Sequence, residues 1–543
     1  MDPGRVYAAF DRADAALSAA DGEPVADVRR LLAESRDRLK ARMRIALVGR
    51  ISSGKSTLVN ALLGAAPAPT HALELTFNVC RFRHADPAGL IVHHKDGAPP
   101  AAYPLEEMER LAVRARARDP ELQALLRRID HLEIGHPSPQ LLAHDLIDTP
   151  GLDSTYGEDS ANALRWLGRS GDEVHAASVR HAARADALVA VFDRGLSGEF
   201  AALLGDFAGT GFDTAGPVTT VGALTKVEHY WPLAPDPLAE GRRVAEFLME
   251  SAGARRLLFE LRPVAGLLGS AASTFTEEDH ADLVTLSRLD QDALARHVRR
   301  GPHFAGRELP DVPVPAARRA GLLARFGAYG IVTACCLVRE DAEDIGALRA
   351  ELLERSGVQD FRRLLLDHFG NRAEVIKVNR VVQQARSLTG RLPAGLRPAL
   401  SDLTALEFRE HAFLELAVLR DHYAGRLTLG ARETEELLRV TGEHGTSPAA
   451  RLGLPEGTGA GALAEGAGAG VGRWARADAL GEHSGASRGA VRVIRRSYEL
   501  LLHRVTASGT SEAVEPSVEA SVEASGVSEA LDASEEGIGA GHG

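Results

Sequence analysis

Eight consecutive residues, Gly49-Arg50-Ile51-Ser52-Ser53-Gly54-Lys55-Ser56, have the types and spacing of G-x-x-x-x-G-K-[ST], a loop that wraps the phosphates of a nucleoside triphosphate. Glycines let the backbone double back so that successive N–H groups converge, and a helix opening at Gly54 would aim its positive end at the same point. Lys55 would reach the β- and γ-phosphates, and the Ser56 hydroxyl would ligate Mg²⁺, with Ser53 and Thr57 beside them. The chain has five lysines, Lys40, Lys55, Lys95, Lys226 and Lys377, among 63 basic residues. A lysine here, where arginine is the default cation, fits the need for a compact ammonium.

Two further motifs have matching chemistry. Asp148-Thr149-Pro150-Gly151 follows the apolar run Asp145-Leu146-Ile147. Its Asp148 would hold Mg²⁺ through water, and the Gly151 N–H would sense the γ-phosphate as a switch. Thr225-Lys226-Val227-Glu228 follows another apolar run. A carboxylate accepts the paired N1–H and N2 donors of guanine, which adenine lacks. Glu228 stands where GTPases of the [NT]-K-x-D pattern carry Asp, so guanine is preferred with one extra methylene in the reader. Pro263-Val264-Ala265-Gly266 is a weaker small-residue loop whose backbone N–H at Ala265 would meet the base carbonyl. A switch threonine that completes the Mg²⁺ shell falls within 69–76, with Thr70 and Thr76 as candidates. The histidines, His93-His94 included, show no metal-ligand spacing on one face and are read as ordinary surface or core residues.

The elements that must position these groups are strands alternating with helices, hence an α/β domain with a mostly parallel sheet. Strands are expected at 45–48, 76–82, 89–93, 131–134, 145–147, 187–192, 218–224 and 262–266, with the motifs at strand carboxyl ends. Helices are expected at 105–116, 161–179 and 237–251. Residues 1–43 read as helix, with the stripe Val25, Val28, Leu32 and Leu39 needing a distant helical partner. From 341 the pattern is helical, with Phe361, Leu365, Phe369, Ala373 and Ile376 on one face and breaks at Pro393 and Pro398. Further helices are expected at 403–427, 432–441 and 487–506. The glycine-rich stretch 453–472 reads as a flexible break, and 507–543 as a disordered tail.

At 543 residues several domains are required. The net charge is −12, but eight acidic residues lie at or beyond Glu512 with no Lys or Arg among them, leaving −4 for the body and no electrostatic case for nucleic acid. Cys80, Cys335 and Cys336 give neither a zinc spacing nor a disulfide framework. The polar N-terminus lacks a secretory pattern, and the longest apolar stretch, 329–338, is about half the ~20 residues of a membrane span. The expectation is a cytoplasmic protein, at most peripheral on the inner face of the cell membrane.

The run from Gly49 through Thr57-Leu58-Val59-Asn60-Ala61-Leu62-Leu63-Gly64, with Ser52-Ser53 before Gly54-Lys55-Ser56, resembles the bacterial dynamin-like GTPases; so does Leu152 after Asp148-Thr149-Pro150-Gly151. The resemblance implies a GTPase domain at 44–340, a helical stalk or neck at 341–506 joined by 1–43, and the acidic tail at 507–543. It favours Thr76 over Thr70 and implies GTP with Mg²⁺. It implies self-association through the GTPase face and stalk, which accelerates hydrolysis to GDP and phosphate, with Ser52, Lys55 and Thr76 catalytic. A membrane lipid surface and a second dynamin-like protein are the implied partners. Ile51 occupies the place of the water-orienting Gln of animal dynamins. The alternatives are a GTP-dependent regulator or assembly factor acting on a protein or RNA, and a scaffold that binds nucleotide without fast turnover.

Overall fold

The computed structural model describes residues 3–68, 78–108, 111, 120–151, 181, 184–193, 216–340, 344–483 and 485–512. Nine strands form one sheet in the order β4-β3-β5-β2-β6-β1-β7-β8-β9. They are β1 (Met43–Gly49), β2 (Val79–His84), β3 (Gly89–His94), β4 (Ala101–Tyr103), β5 (Ile129–His136), β6 (His144–Asp148), β7 (Ala187–Phe192), β8 (Thr220–Thr225) and β9 (Leu261–Val264). The half from β6 through β9 is all parallel, whereas β2 runs antiparallel to β6, and β3 and β4 form an antiparallel edge. The mostly parallel α/β reading therefore holds. The unexpected strand is β4, only three residues long with two alanines, which are depleted in strands, and it pairs only at the edge.

β1 is buried on both faces. Ala46 and Val48 belong to one hydrophobic core, and Ile45 and Leu47 to another. The first core is completed by helices between Gly266 and Arg355, which follow β9 without further strands among the described residues. The second takes in the helix Lys55–Leu63 and the residues Phe361, Leu365, Phe369 and Ile376. That stripe was expected inside a separate helical bundle; it covers the sheet instead. The chain there is also not one helix. It runs Val358–Leu365, then a π-turn at Leu366–Gly370, then Ala373–Thr389. Within this last helix Ile376 serves the sheet core, while Val378, Val381 and Val382 serve a third, largely helical core.

The third core is where the N-terminal region finds its partner. Residues 1–43 are two helices, Pro3–Ser18 and Glu23–Lys40, rather than one, divided at Gly22 with φ 129°. Val6, Phe10 and Leu17 from the first and Val25, Val28 and Leu32 from the second pack on the helices Ala373–Thr389, Ser401–Arg409 and His411–Tyr423. Lys377 fastens this bundle to the sheet by donating to Leu39 O (2.8 Å) and Ala41 O (3.0 Å) just before β1. Asp186 adds a second fastening, accepting from Arg38 (2.8 Å) and the Arg44 N–H (2.9 Å).

Two expectations are overturned. The glycine-rich break is helical: Ala460–Leu480 spans much of it and packs along Gly485–Glu512 in a fourth core around Trp474 and Tyr498. A Cβ at Gly470 would lie 2.3 Å from the Tyr498 ring, so this glycine is what lets the two helices touch. The second helix also runs to Glu512, into the stretch expected to be disordered; 513–543 and the expected helix 161–179 lie outside the described residues. One helical stretch among those described, Ala316–Arg339, is apolar and long enough to cross a membrane by length and composition, longer than the expected stretch, but its backbone leaves the helical region at Gly327 (φ 65°). Its Leu322, Phe326, Ile331 and Cys335 are buried in the first core, the packing of a core helix.

The Gly470 contact is testable. Gly470→Ala should overpack the hairpin at a cost of about 1–3 kcal/mol and lower the thermal midpoint. Gly472→Ala, with nothing within 4 Å of its Cβ, should be neutral or stabilising by up to ~1 kcal/mol. Equal midpoints for the two variants in thermal unfolding followed by circular dichroism would refute the packing.

Candidate functional site

The carboxyl ends of β6, β1, β7 and β8 lie side by side, and their loops form the site. β1 ends at Gly49, whose added Cβ would fall 2.5 Å from Val191 O and 2.9 Å from Ser53 Oγ, so no other residue leaves room for the loop to fold back over β7. Gly54 caps the following helix at φ 93°. The Lys55 ammonium bends back across the loop it terminates, donating to Gly49 O (3.1 Å) and Arg50 O (2.8 Å). Ser56 Oγ donates to Asp148 Oδ2 at 2.6 Å, joining two motifs 92 residues apart.

Asp148 is fully buried, and burial raises its carboxyl above the usual range against the opposing effects of Ser56 and Lys55. Its Oδ1 and the Ser53 Oγ are buried with no hydrogen-bond partner among the described residues. A carboxylate oxygen free to meet a cation and a hydroxyl free to donate to a phosphate, beside a buried ammonium, are what bound Mg²⁺ and a triphosphate would satisfy, so these residues fit both. Thr149 Oγ1 donates to Leu47 O (2.7 Å), tying the motif to the central strand. A Cβ at Gly151 would meet Ile51 at 2.3 Å, so the glycine of the second motif packs directly on the apolar residue of the phosphate loop.

The third motif divides its labour. Thr225 does not point outward: Oγ1 lies 2.5 Å from Ser53 O and 2.8 Å from Phe192 O, bracing the phosphate loop against β7 and β8. Lys226 adopts φ 58° and sits 3.7 Å from Asp193. Glu228 is buried in the short 3₁₀ turn Val227–Tyr230, and burial pushes its carboxyl up to about 7, with Lys226 opposing. Its Oε2 has no partner among the described residues. The Ala265 N–H donates to Ser356 O (2.9 Å), so this donor is engaged within the protein, while Thr57 packs near Gly266. Ser52 is exposed; it and Lys226 are the two non-glycine residues with positive φ among those described, and strained backbone of this kind concentrates at functional sites. Thr70, Thr76 and Leu152 lie outside the described residues.

Three supporting residues escaped the sequence reading. Asn60 brackets Ala68, accepting from its N–H and donating to its carbonyl at 2.7 Å each, and so fixes the chain at the entrance to the threonine segment. A polar residue in the otherwise apolar run 58–63 was the available signal. Arg362 donates to Ala61 O (2.7 Å) and Leu62 O (3.0 Å), closing the carboxyl end of the Lys55–Leu63 helix; Asp193 faces Lys226. Neither has a local signature.

A strand–glycine loop–helix with lysine and serine in place, a buried aspartate on the serine, and a lysine–carboxylate motif on the next parallel strand define a P-loop nucleotide-binding protein. The profile of the dynamin family matches residues 45–195. The isoniazid-induced protein IniC of Mycobacterium tuberculosis is 30% identical over 423 residues, covering 77% of this chain and 82% of that protein. The chain belongs to the bacterial dynamin-like GTPase family. Dynamin-like protein 2 of Campylobacter jejuni is 34% identical over 116 residues, covering 21% of this chain and 18% of that protein. A chain from an oligomerised bacterial dynamin pair is similar over 93% of this chain and 75% of its own, at 11% identity and a TM-score of 0.32.

Glu228 gives a pH test. Its folded value near 7 exceeds the ordinary 4.5 that the unfolded chain would show. The folded state therefore holds the extra proton between these values, and stability falls as pH rises through them. Between pH 5 and 8 the wild type should lose on the order of 1–3 kcal/mol that Glu228→Gln retains. Parallel melting-temperature profiles for the two proteins across that range would contradict the burial argument.

Proposed function

We propose that this chain hydrolyses GTP to GDP and phosphate and that two copies associating across their nucleotide faces accelerate the step. The observation that carries the reading is the Ser56–Asp148 contact beside Lys55, which assembles the phosphate and cation groups on one side of a central strand. Mg²⁺, with Ser56, Asp148 and Thr76 as its candidate holders, would neutralise phosphate charge. Lys55 and the N–H groups of Gly49 through Thr57, Ser53 and Gly54 among them, hold the triphosphate, and the Gly151 N–H senses its terminal group. Lys226 lies along the base, Glu228 accepts from guanine, Thr225 keeps the loop in register, and the loop at Ala265 borders the base. Ser52, exposed on a strained backbone, is placed to meet the transferring group or the facing copy. With Ile51 apolar, a backbone group positions the water.

In this proposal the GTPase domain runs from 44 past the expected boundary at 340 to Ile376, since the helices up to there complete its two sheet cores; 1–43 and 377–506 form the stalk, and 507–543 is an acidic tail whose first residues extend the last helix. Nucleotide-controlled contact between copies, or with a second dynamin-like protein, acts through the stalk on a membrane surface at the cytoplasmic face. The family membership supports this reading.

GTP turnover measured across protein concentrations, with and without liposomes, tests it. Specific activity should rise with concentration; a flat line removes dimer activation, and indifference to liposomes removes the membrane client. Lys55→Ala should lower turnover by on the order of 10²–10³-fold, and a variant of undiminished rate would sink the site. Because the guanine donors need the ionised carboxylate, GTP affinity should rise from pH 6 to pH 8 with proton release on binding. Calorimetry in buffers of different ionisation enthalpy would show the release, and its absence would remove Glu228 as the base reader.

A further inference from the structure

Away from the phosphate loop, at the start of β5, the fold gathers histidines that are far apart in sequence. His93 of β3 pairs directly with His131 of β5, and their rings stack at 4.2 Å with 9° between planes. Beyond this pair the register slips: His94 pairs with Ile129, so Asp130 is an extra, bulged residue. Adjacent residues of a regular strand point to opposite faces; a bulge turns the extra one back. Asp130 Oδ2 thus lies 3.0 Å from His131 Nδ1. From the other side His181 arrives, with Nε2 3.4 Å from the same oxygen. One ligand atom from each of Asp130, His131 and His181 lies within 4.8 Å of the others.

We propose that Asp130, His131 and His181 form a site for a zinc-class divalent metal, separate from the Mg²⁺ site of the GTPase centre. Two imidazoles and a carboxylate are a recurrent donor set for such ions, with the remaining positions open to water. Ligands bound at zinc's usual distances stand about 3.3–3.6 Å apart on a tetrahedral edge; the His181–Asp130 separation of 3.4 Å is already there. His93 supports the face of His131, and its Nε2 is buried without a hydrogen-bond partner among the described residues. Glu133 is not counted, because Arg81 (3.2 Å) and Arg83 (2.5 Å) already occupy its two oxygens.

β5 borders β2, and Cys80 of β2 faces both Leu132 and Asp148, so His131 stands two strands from the Mg²⁺-site aspartate at the same end of the sheet.

The test uses the full chain, stripped with chelator and dialysed into excess Mg²⁺ so that oxygen sites are filled. Zn²⁺ is then titrated by calorimetry, and Co²⁺ by its visible absorption. One equivalent should bind, raise the melting temperature and give an intense tetrahedral cobalt spectrum. Asp130→Asn and His181→Gln should each weaken Zn²⁺ binding at least 10-fold, about the lower limit for loss of a metal-site group; retained GTP binding shows that these variants fold. Absence of a bound equivalent in the wild type overturns the proposal. So does unchanged affinity in the double variant, which would place the metal elsewhere.

Discussion

No side chain can stand at position 49. Its Cβ would sit 2.5 Å from the carbonyl of Val191, and that single steric limit lets the loop double back over β7 instead of running on from β1. The remaining loop contacts presuppose the turn. It brings the Lys55 ammonium onto the carbonyls of Gly49 and Arg50, and it sets Ser53 where Thr225 can brace it. Because β1 is central and buried on both faces, a shift in this loop would be felt in two hydrophobic cores at once.

The site is consequently assembled from the sheet outward. Parallel strands deliver the phosphate loop, the aspartate motif and the lysine–carboxylate motif to one edge, which is the ordinary advantage of a parallel α/β sheet. Strain is concentrated there, at Ser52 and Lys226. Polar satisfaction is suspended at the same place: Ser53, Asp148 and Glu228 each keep a buried atom unpartnered among the described residues. These are local costs that binding would offset, while the surrounding helices supply stability without taking part in the chemistry.

The helical region is fastened to the other end of the sheet, the amino-terminal ends of its parallel strands, by a few polar contacts. Lys377 and Asp186 tie the bundle to the chain entering β1. On the opposite side His368, buried in the π-turn, lies 3.1 Å from the carbonyls of Pro217 and Val218 ahead of β8 and stacks on Phe259 ahead of β9. Arg372 beside it pairs with Glu443, which also accepts from Tyr423 (3.0 Å). Hydrogen-bonded networks of this kind have defined geometry, so displacement at the amino-terminal ends of the strands would reach the bundle as a change of orientation.

Sequence alone determined the parts whose physics is local. The glycine–lysine–serine spacing, the aspartate after a strand and the lysine–glutamate pair each state their chemistry within a few residues, and strand alternation stated the α/β class. What only the tertiary structure decided depends on contacts between distant residues. Thr225 turned inward as a brace because β7 and β8 are neighbours, and Ala265 spent its N–H on Ser356. The stripe from Phe361 to Ile376 had a legible period but no legible partner; the sheet claimed it. The glycines of 453–472 are poor helix formers in isolation, yet a helix forms where Tyr498 needs Gly470 to approach. His93, His131 and His181 have no spacing in one dimension because a strand pair and a bulge are what bring them together.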